Sequence, residues 1–129
     1  LDYPMYKGMQ NCVRDLNLMY KGNAPLYEED FDSRGFEWID YAAVDDSVIS
    51  YIRRGHSHDD FLIVVCNFTP VVRHNYRVGV PENKKLKLLL NSEDVEFGGI
   101  GGNAKGKLYR LPFVKIGDLI YPKLPMVAY

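Results

Sequence analysis

The sequence predicts an antiparallel β-sandwich preceded by one α-helix. Three observations lead there. Seven or eight short runs rich in β-branched and aromatic residues follow one another from Phe36 onward, separated by turn residues at hairpin spacing. One of them, Phe61-Leu62-Ile63-Val64-Val65, is apolar at both odd and even positions, which marks a central strand covered on both faces. Only one stretch, near the N-terminus, repeats its apolar residues with a helical period.

That stretch is residues 9–21. Met9, Cys12, Val13, Leu16, Met19 and Tyr20 share one face, and Gln10, Arg14, Asp15 and Asn17 lie mostly on the other. Gly22 is a stop signal, and Pro25 prevents continuation. A lone amphipathic helix needs a surface for its stripe. Either it docks on the sandwich or it is the last helix of a domain lying upstream. An acidic loop, Glu28 to Asp32, follows. The predicted strands are then 36–40, 47–54, 61–68, 75–80, 86–90, 107–113, 118–121 and 125–129, punctuated by Gly55, Pro70, Pro81-Glu82-Asn83, Gly117-Asp118 and Pro122.

Size and charge narrow the function classes. A chain of 129 residues is expected to form one domain with a short appendage. It begins with Leu1, so a piece of a longer chain is expected. The net charge of −1 provides no field to gather nucleic acid or an anionic membrane. No apolar run approaches the ~20 residues of a membrane span. Cys12 and Cys66 fit a helical pattern and an apolar strand, so reduced thiols and a cytoplasmic location are expected. The sequon Asn67-Phe68-Thr69 has meaning only in a secreted chain, and Pro70 directly after it disfavours its use.

Several motifs suggest chemistry and then lose their context. Gly98 to Lys107 fits both a dinucleotide fingerprint and most of a phosphate loop. Both demand a helix directly after the glycines, to aim N–H groups and a positive dipole end at phosphate. Lys107 to Phe113 alternates like a strand instead, and Leu108 stands where a magnesium-binding hydroxyl belongs. With the strand-like Val95-Glu96-Phe97 before it, the segment reads as a glycine loop between strands. His56-Ser57-His58-Asp59-Asp60 has metal-ligand residue types but sits between two strands behind Gly55, so it reads as a hairpin loop. His74 lies in a different loop. The carboxylates Glu28, Glu29, Asp30, Asp32, Asp45, Asp46, Glu93, Asp94 and Glu96 show no sign of the cleft that would face two of them about 5–9 Å apart. Arg53-Arg54 and Arg73 with Arg77 are diluted by acidic neighbours. No metal or other cofactor is expected.

The aromatic residues carry more. Phe36, Trp38, Tyr41, Tyr51, Tyr76 and Tyr109 could stack on the apolar face of a sugar ring. Phe36 and Trp38 share parity and point to one side of their strand. The candidate carbohydrate-binding residues are Trp38, Tyr41, Tyr76 and Tyr109. The alternative is that these rings seal the core or a domain interface.

The strings MQNCVRDLN, FDSRGFEWID, NFTPVVRHNYRVGVP and LLNSEDVEFGG, in this order, resemble the C-terminal end of bacterial 1,4-α-glucan (glycogen) branching enzymes. The resemblance covers nearly the whole chain. It departs at Tyr121-Pro122-Lys123-Leu124, where the family carries a leucine–diproline–leucine motif. The resemblance implies that residues 1–28 are the last helix and exit segment of a (β/α)8 catalytic barrel, and that residues 29–129 form an alpha-amylase-type C-terminal sandwich. It implies a barrel that joins α-1,6 branches to an α-1,4-glucan by retaining double displacement, with an acceptor 6-hydroxyl in place of water. The family's catalytic carboxylates lie upstream, on barrel-strand ends. No residue here inherits a catalytic role, and the fragment alone is expected to be inactive. The expected partners are the chain's own barrel and α-glucan. The roles left open for the sandwich are barrel scaffold, auxiliary glucan-binding module, or assembly domain that self-associates when isolated.

Overall fold

The computed structural model describes residues 3–42, 45, 47–57, 59–68, 77–79, 86–99, 108–109, 113–115 and 126–128. Helix α1 spans Pro4–Gly22, starting five residues before the periodic stretch. Proline in the first helical turn costs nothing, because its missing N–H would find no intrahelical acceptor there. The helix ends where the Asn23 side chain donates to the Met19 carbonyl at 2.8 Å. A 3-10 turn at Ala24–Leu26, opened by the buried Pro25, then redirects the chain.

The strands are β1 Phe36–Asp40, β2 Val48–Arg54, β3 Phe61–Asn67, β4 Arg77–Gly79, β5 Leu86–Leu90, β6 Leu108–Tyr109, β7 Phe113–Lys115 and β8 Met126–Ala128. Six form one sheet in the order β1-β2-β3-β8-β5-β6, and β4 and β7 form a second. Every pairing is antiparallel. The predicted antiparallel β architecture behind one helix is therefore the observed one.

β3 is central and all seven of its residues are buried, as its two-sided apolar character requires. Neighbouring β2 alternates buried and half-buried positions, and β5 buries Leu86, Leu88 and Leu90. The main core joins Val48, Ile52, Phe61, Ile63, Val65, Val78, Leu86 and Leu88, so the second sheet enters it through β4. Each fully buried aliphatic side chain contributes roughly 1.5–3 kcal/mol relative to exposure. Leu62, Val64 and Cys66 are buried on the opposite face of β3. The Ala24–Leu26 turn lies against β2 and β3.

Two expectations are corrected. Val95–Phe97 is a 3-10 turn and not a strand; it ends at Gly98 in the left-handed region, with φ 88°. Glycine adopts that conformation without steric cost. The run from Lys107 to Phe113 is not one strand: β6 ends at Tyr109 in the large sheet, and β7 begins at Phe113 in the small one. The predicted strand at 118–121 and most of the glycine loop, residues 100–107, lie outside the described residues. Gly99 shows why that loop starts with glycine: a Cβ there would stand 2.0 Å from the Glu93 carbonyl oxygen.

The helix docks through an equally close approach. Gly8 is its buried residue, and a Cβ at Gly8 would lie 2.6 Å from the Phe97 carbonyl oxygen. Asn11 donates to the Glu96 carbonyl at 3.2 Å beside it. The helix thus rests on the turn that follows β5. This seats only part of its stripe: Cys12, Leu16 and Met19 are half-buried, and Met9, Val13 and Tyr20 stay exposed.

Candidate functional site: an aromatic platform beside a clasped segment

β1 is the edge strand of the large sheet, so one of its long sides has no ladder partner among the described strands. Phe36 and Trp38 project from it to the same face, and β2 adds Tyr51, the register partner of Trp38. The rings touch in series. Phe36 stacks on Tyr51 with centroids 5.1 Å apart and meets Trp38 edge-on at 5.0 Å. Trp38 lies 5.6 Å from Tyr41, just past the end of the strand. Trp38 is 47% exposed and Tyr41 67% exposed. Exposed, mutually braced rings form a surface for stacking, and they lose little side-chain freedom when something lands on them.

Of the four residues singled out in the sequence, the structure therefore brings Trp38 and Tyr41 together. It adds Phe36 and Tyr51, whose parity and register put them on the same face. Tyr76 and the side chain of Tyr109 lie outside the described residues. Burial of its phenol raises the Tyr51 pKa, so this ring stays neutral.

Next to the platform, the segment after the helix is clasped to the end of β2. Arg53 donates to the Leu26 carbonyl at 3.3 Å and pairs with Asp30. The backbone N–H of His56 donates to the Glu28 carboxylate at 2.8 Å, and the His56 Nδ1 lies 2.5 Å from Glu29 Oε1. Arg54, itself buried, bonds Glu37 of β1 at 3.0 Å and lies over the Phe61 ring. Gly35 lets the segment pass: a Cβ there would stand 2.2 Å from the Glu29 carbonyl oxygen. The sequence presents Glu28 to Asp32 as an ordinary acidic loop. Its partners, the run Arg53 to His56, are opposite in charge but some 25 residues away, and only the fold joins them.

The His56–Asp60 segment is the expected hairpin loop, closed by Gly55 N–H donating to the Asp60 carbonyl at 3.0 Å. Among the described residues, no three His, Cys, Asp or Glu side chains converge on a point that could hold a metal ion. Cys12 and Cys66 are free thiols, and burial pushes Cys66 up to about 11. Asn67 of the sequon is buried. No described helix is long and apolar enough to cross a membrane.

The clasp makes a pH-dependent contribution of known sign. The hydrogen bond to Glu29, with Glu28 behind it, raises the His56 pKa above its ordinary 6.5. A raised folded-state pKa gives stability that is fully present below the unfolded value and lost as pH rises through the folded one. His56→Gln is therefore expected to lower the melting temperature at about pH 6 and to matter less at about pH 8.5. Melting curves of both proteins at the two pH values check this. A gap that widens with rising pH would contradict the assignment.

Comparison with known proteins follows the same lines. Residues 38–113 match the family described as "alpha amylase, C-terminal all-beta domain". The chain is 50% identical over 101 residues to the 1,4-alpha-glucan branching enzyme GlgB of Halothermothrix orenii, an alignment covering 78% of this chain and 16% of that protein. It is 42% identical over 112 residues to the enzyme of the same name from Oceanobacillus iheyensis, covering 87% and 18%. With that of Methylococcus capsulatus it shares 41% identity over 134 residues, covering 99% and 18%. The chain thus spans under a fifth of the length of these curated relatives.

Proposed function

The chain belongs to the alpha amylase C-terminal all-beta domain family, and from that premise we propose that it is the C-terminal part of a 1,4-α-glucan branching enzyme. Its own role there is to buttress a catalytic barrel. Residues 1–28 are the barrel's last helix and exit segment, and residues 29–129 form the supporting domain. The parent cleaves α-1,4-glucan segments and transfers them to a 6-hydroxyl in the cytoplasm, as part of glycogen biosynthesis.

The observation that carries this reading is the divided stripe of α1. Gly8 and Asn11 hold the helix on the sheet domain, while Tyr6, Met9 and Val13 line an open apolar groove on another side. Apolar side chains at i, i+3 and i+7 mark a helix face that packs on a neighbour. A barrel supplies that neighbour in the parent. In the isolated chain the same face favours self-association.

A second reading has its own support. The platform of Phe36, Trp38, Tyr41 and Tyr51 offers stacked, exposed rings to an α-glucan, so the sheet domain holds polymer as well as bracing the barrel. It shares its sheet face with Arg53, which reaches the exit segment, so bound glucan would lie close to the barrel.

One set of assays tests both readings. The isolated chain is expected to leave the iodine absorbance of amylose unchanged, because in this reading the catalytic carboxylates stand on the strand ends of the barrel. In native gels containing glycogen its migration is expected to be retarded, and Trp38→Ala is expected to remove most of the retardation. Branching by the isolated chain would overturn the scaffold role. A folded chain that migrates freely through glycogen would leave the scaffold role standing and end the glucan-holding one.

A further inference from the structure

The acidic run 28–32 holds one apolar residue, Phe31, and its ring is as exposed as in an extended peptide. A single exposed apolar side chain is ordinary on a surface. The surroundings of this one are not. All four carboxylates of the run are engaged within the chain. Glu28 accepts from the His56 backbone N–H at 2.8 Å, and Glu29 meets His56 Nδ1 at 2.5 Å. Asp30 and Asp32, the neighbours of Phe31, each face an arginine: Asp30 pairs with Arg53, and Asp32 with Arg34 at 2.8 Å. No unpaired charge adjoins Phe31 that an apolar partner would have to strip of water.

The backbone beside Phe31 is equally fixed. Asp32 N–H donates to the Glu29 carbonyl at 3.3 Å, and Gly35 N–H donates to the Asp32 carbonyl at 3.0 Å. The Asp32 carboxylate accepts from the Arg34 N–H at 2.9 Å. A ring carried on so fixed a backbone loses little freedom when it docks.

Strand alternation shows which way Phe31 stands. Ile52 faces the core, so Arg53 projects from the other face of β2, beside its register partner Leu62. Arg53 reaches both the Leu26 carbonyl, at 3.3 Å, and Asp30. The segment after α1 is thus a layer laid over that face, and Phe31 stands clear of the layer.

The open stripe of α1 leads to the same layer. Tyr6, Met9, Val13 and Tyr20 are exposed at i, i+3, i+7 and i+14, one line along a helix. The Tyr20 ring lies 5.7 Å from that of Tyr27, also exposed. Phe31 follows Tyr27 by four residues, at most about 14 Å of chain. A barrel of about 250 residues seated on the stripe is broad enough to reach Phe31 as well. The chain covers 18% or less of the relatives named above, which leaves ample length for such a domain.

We propose that Phe31 is an anchor that inserts into an apolar hole on the catalytic barrel of the same polypeptide, at the far end of the contact that the α1 stripe begins. A fixed aromatic ring filling a pocket is the usual energetic centre of an interface. The proposal rests on the scaffold reading above and adds a contact outside the helix.

Hydroxyl-radical oxidation of a longer protein that includes the barrel, read by mass spectrometry, tests it. Phe31 should be oxidised severalfold more slowly than in a free peptide of residues 27–35, and Met9 should be protected in the same sample. Phe31→Ala should lower the melting temperature of the longer protein by a few degrees, with Phe31→Leu in between. The fold of this chain tolerates both variants, because the ring is fully exposed in it. Phe31 reacting at the peptide's rate while Met9 is protected would overturn the anchor and spare the scaffold role. Both residues reacting freely would overturn the scaffold role and the anchor with it. Protection of Phe31 that fades on dilution would assign the ring to a second copy, and protection that appears only with maltoheptaose would assign it to glucan; either overturns the anchor. So would a Phe31→Ala protein that melts unchanged.

Discussion

Replacing Ile63 with alanine is expected to lower the stability of the chain by about 2–5 kcal/mol. Ile63 is fully buried at the centre of β3, between Ile52 of β2 and Val127 of β8 in the sheet register. It packs in the cluster that also holds Val48, Phe61, Val65, Val78 and Leu88, where both sheets meet. Truncation removes transfer free energy and leaves a cavity that hydrogen-bonded strands cannot collapse to fill. Urea denaturation measures the loss. Leu18→Ala is the matched control: it removes an aliphatic side chain that is largely exposed on α1, and its cost should stay within about 0.5 kcal/mol. A comparable loss at both positions would mean that β3 is not the centre of the core.

Gly8→Ala has an expected sign that depends entirely on how the helix docks. In an undocked helix, alanine for glycine stabilises by about 0.5–1 kcal/mol, through helix propensity alone. In the observed packing the new Cβ meets the Phe97 carbonyl at 2.6 Å and its carbon at 2.7 Å. These are backbone atoms of a turn that Gly98 closes in the left-handed conformation, so they cannot step aside as a flexible side chain would. Overpacking of this kind costs typically 1–3 kcal/mol, which exceeds the propensity gain. The variant should therefore unfold at lower urea concentration, and the amides of Glu96 and Phe97 should exchange faster. A stabilised variant would show that the helix does not rest on this turn.

The fold was legible in the sequence wherever burial is periodic or complete. β2 alternates, β3 is apolar throughout, and β5 repeats leucine on one parity; these three strands bury most of the core. Where three residues had to decide, the reading failed. Val95-Glu96-Phe97 satisfies a strand pattern and a 3-10 turn equally, and the left-handed Gly98 settles it as a turn. The run from Lys107 to Phe113 alternates as one strand should, yet its two ends join different sheets. The first turn of α1 was missed because Lys7 and Gly8 interrupt the apolar period, although Pro4 is a start signal. Gly8 interrupts it for a reason: a side chain there would fill the space the Phe97 carbonyl occupies.

The candidate site was half legible. Shared parity in one strand placed Phe36 and Trp38 on one face, and Tyr41 follows within three residues. Tyr51 joins them through sheet register, which a single sequence does not reveal. The clasp of Glu28 and Glu29 on His56, and of Asp30 on Arg53, is non-local in the same way. Complementary runs of charge were its only signal, and such runs occur on most solvated surfaces. The clasp matters because it fixes the segment after α1 beside the platform.

The scaffold role is tested most directly by Met9→Asp, measured both in this chain alone and in a longer protein that includes the barrel. Met9 is 64% exposed at the centre of the open groove on α1. In the isolated chain the substitution should change stability by no more than about 0.5 kcal/mol. In the longer protein it would bury a carboxylate against apolar surface, at a cost on the order of 3 kcal/mol or more. A clear fall in the melting temperature and in branching of amylose by the longer protein, with the isolated chain unaffected, is the result expected of a barrel helix held in place by the sheet domain. An unchanged longer protein would contradict it, because the open face of α1 would then have no barrel to meet.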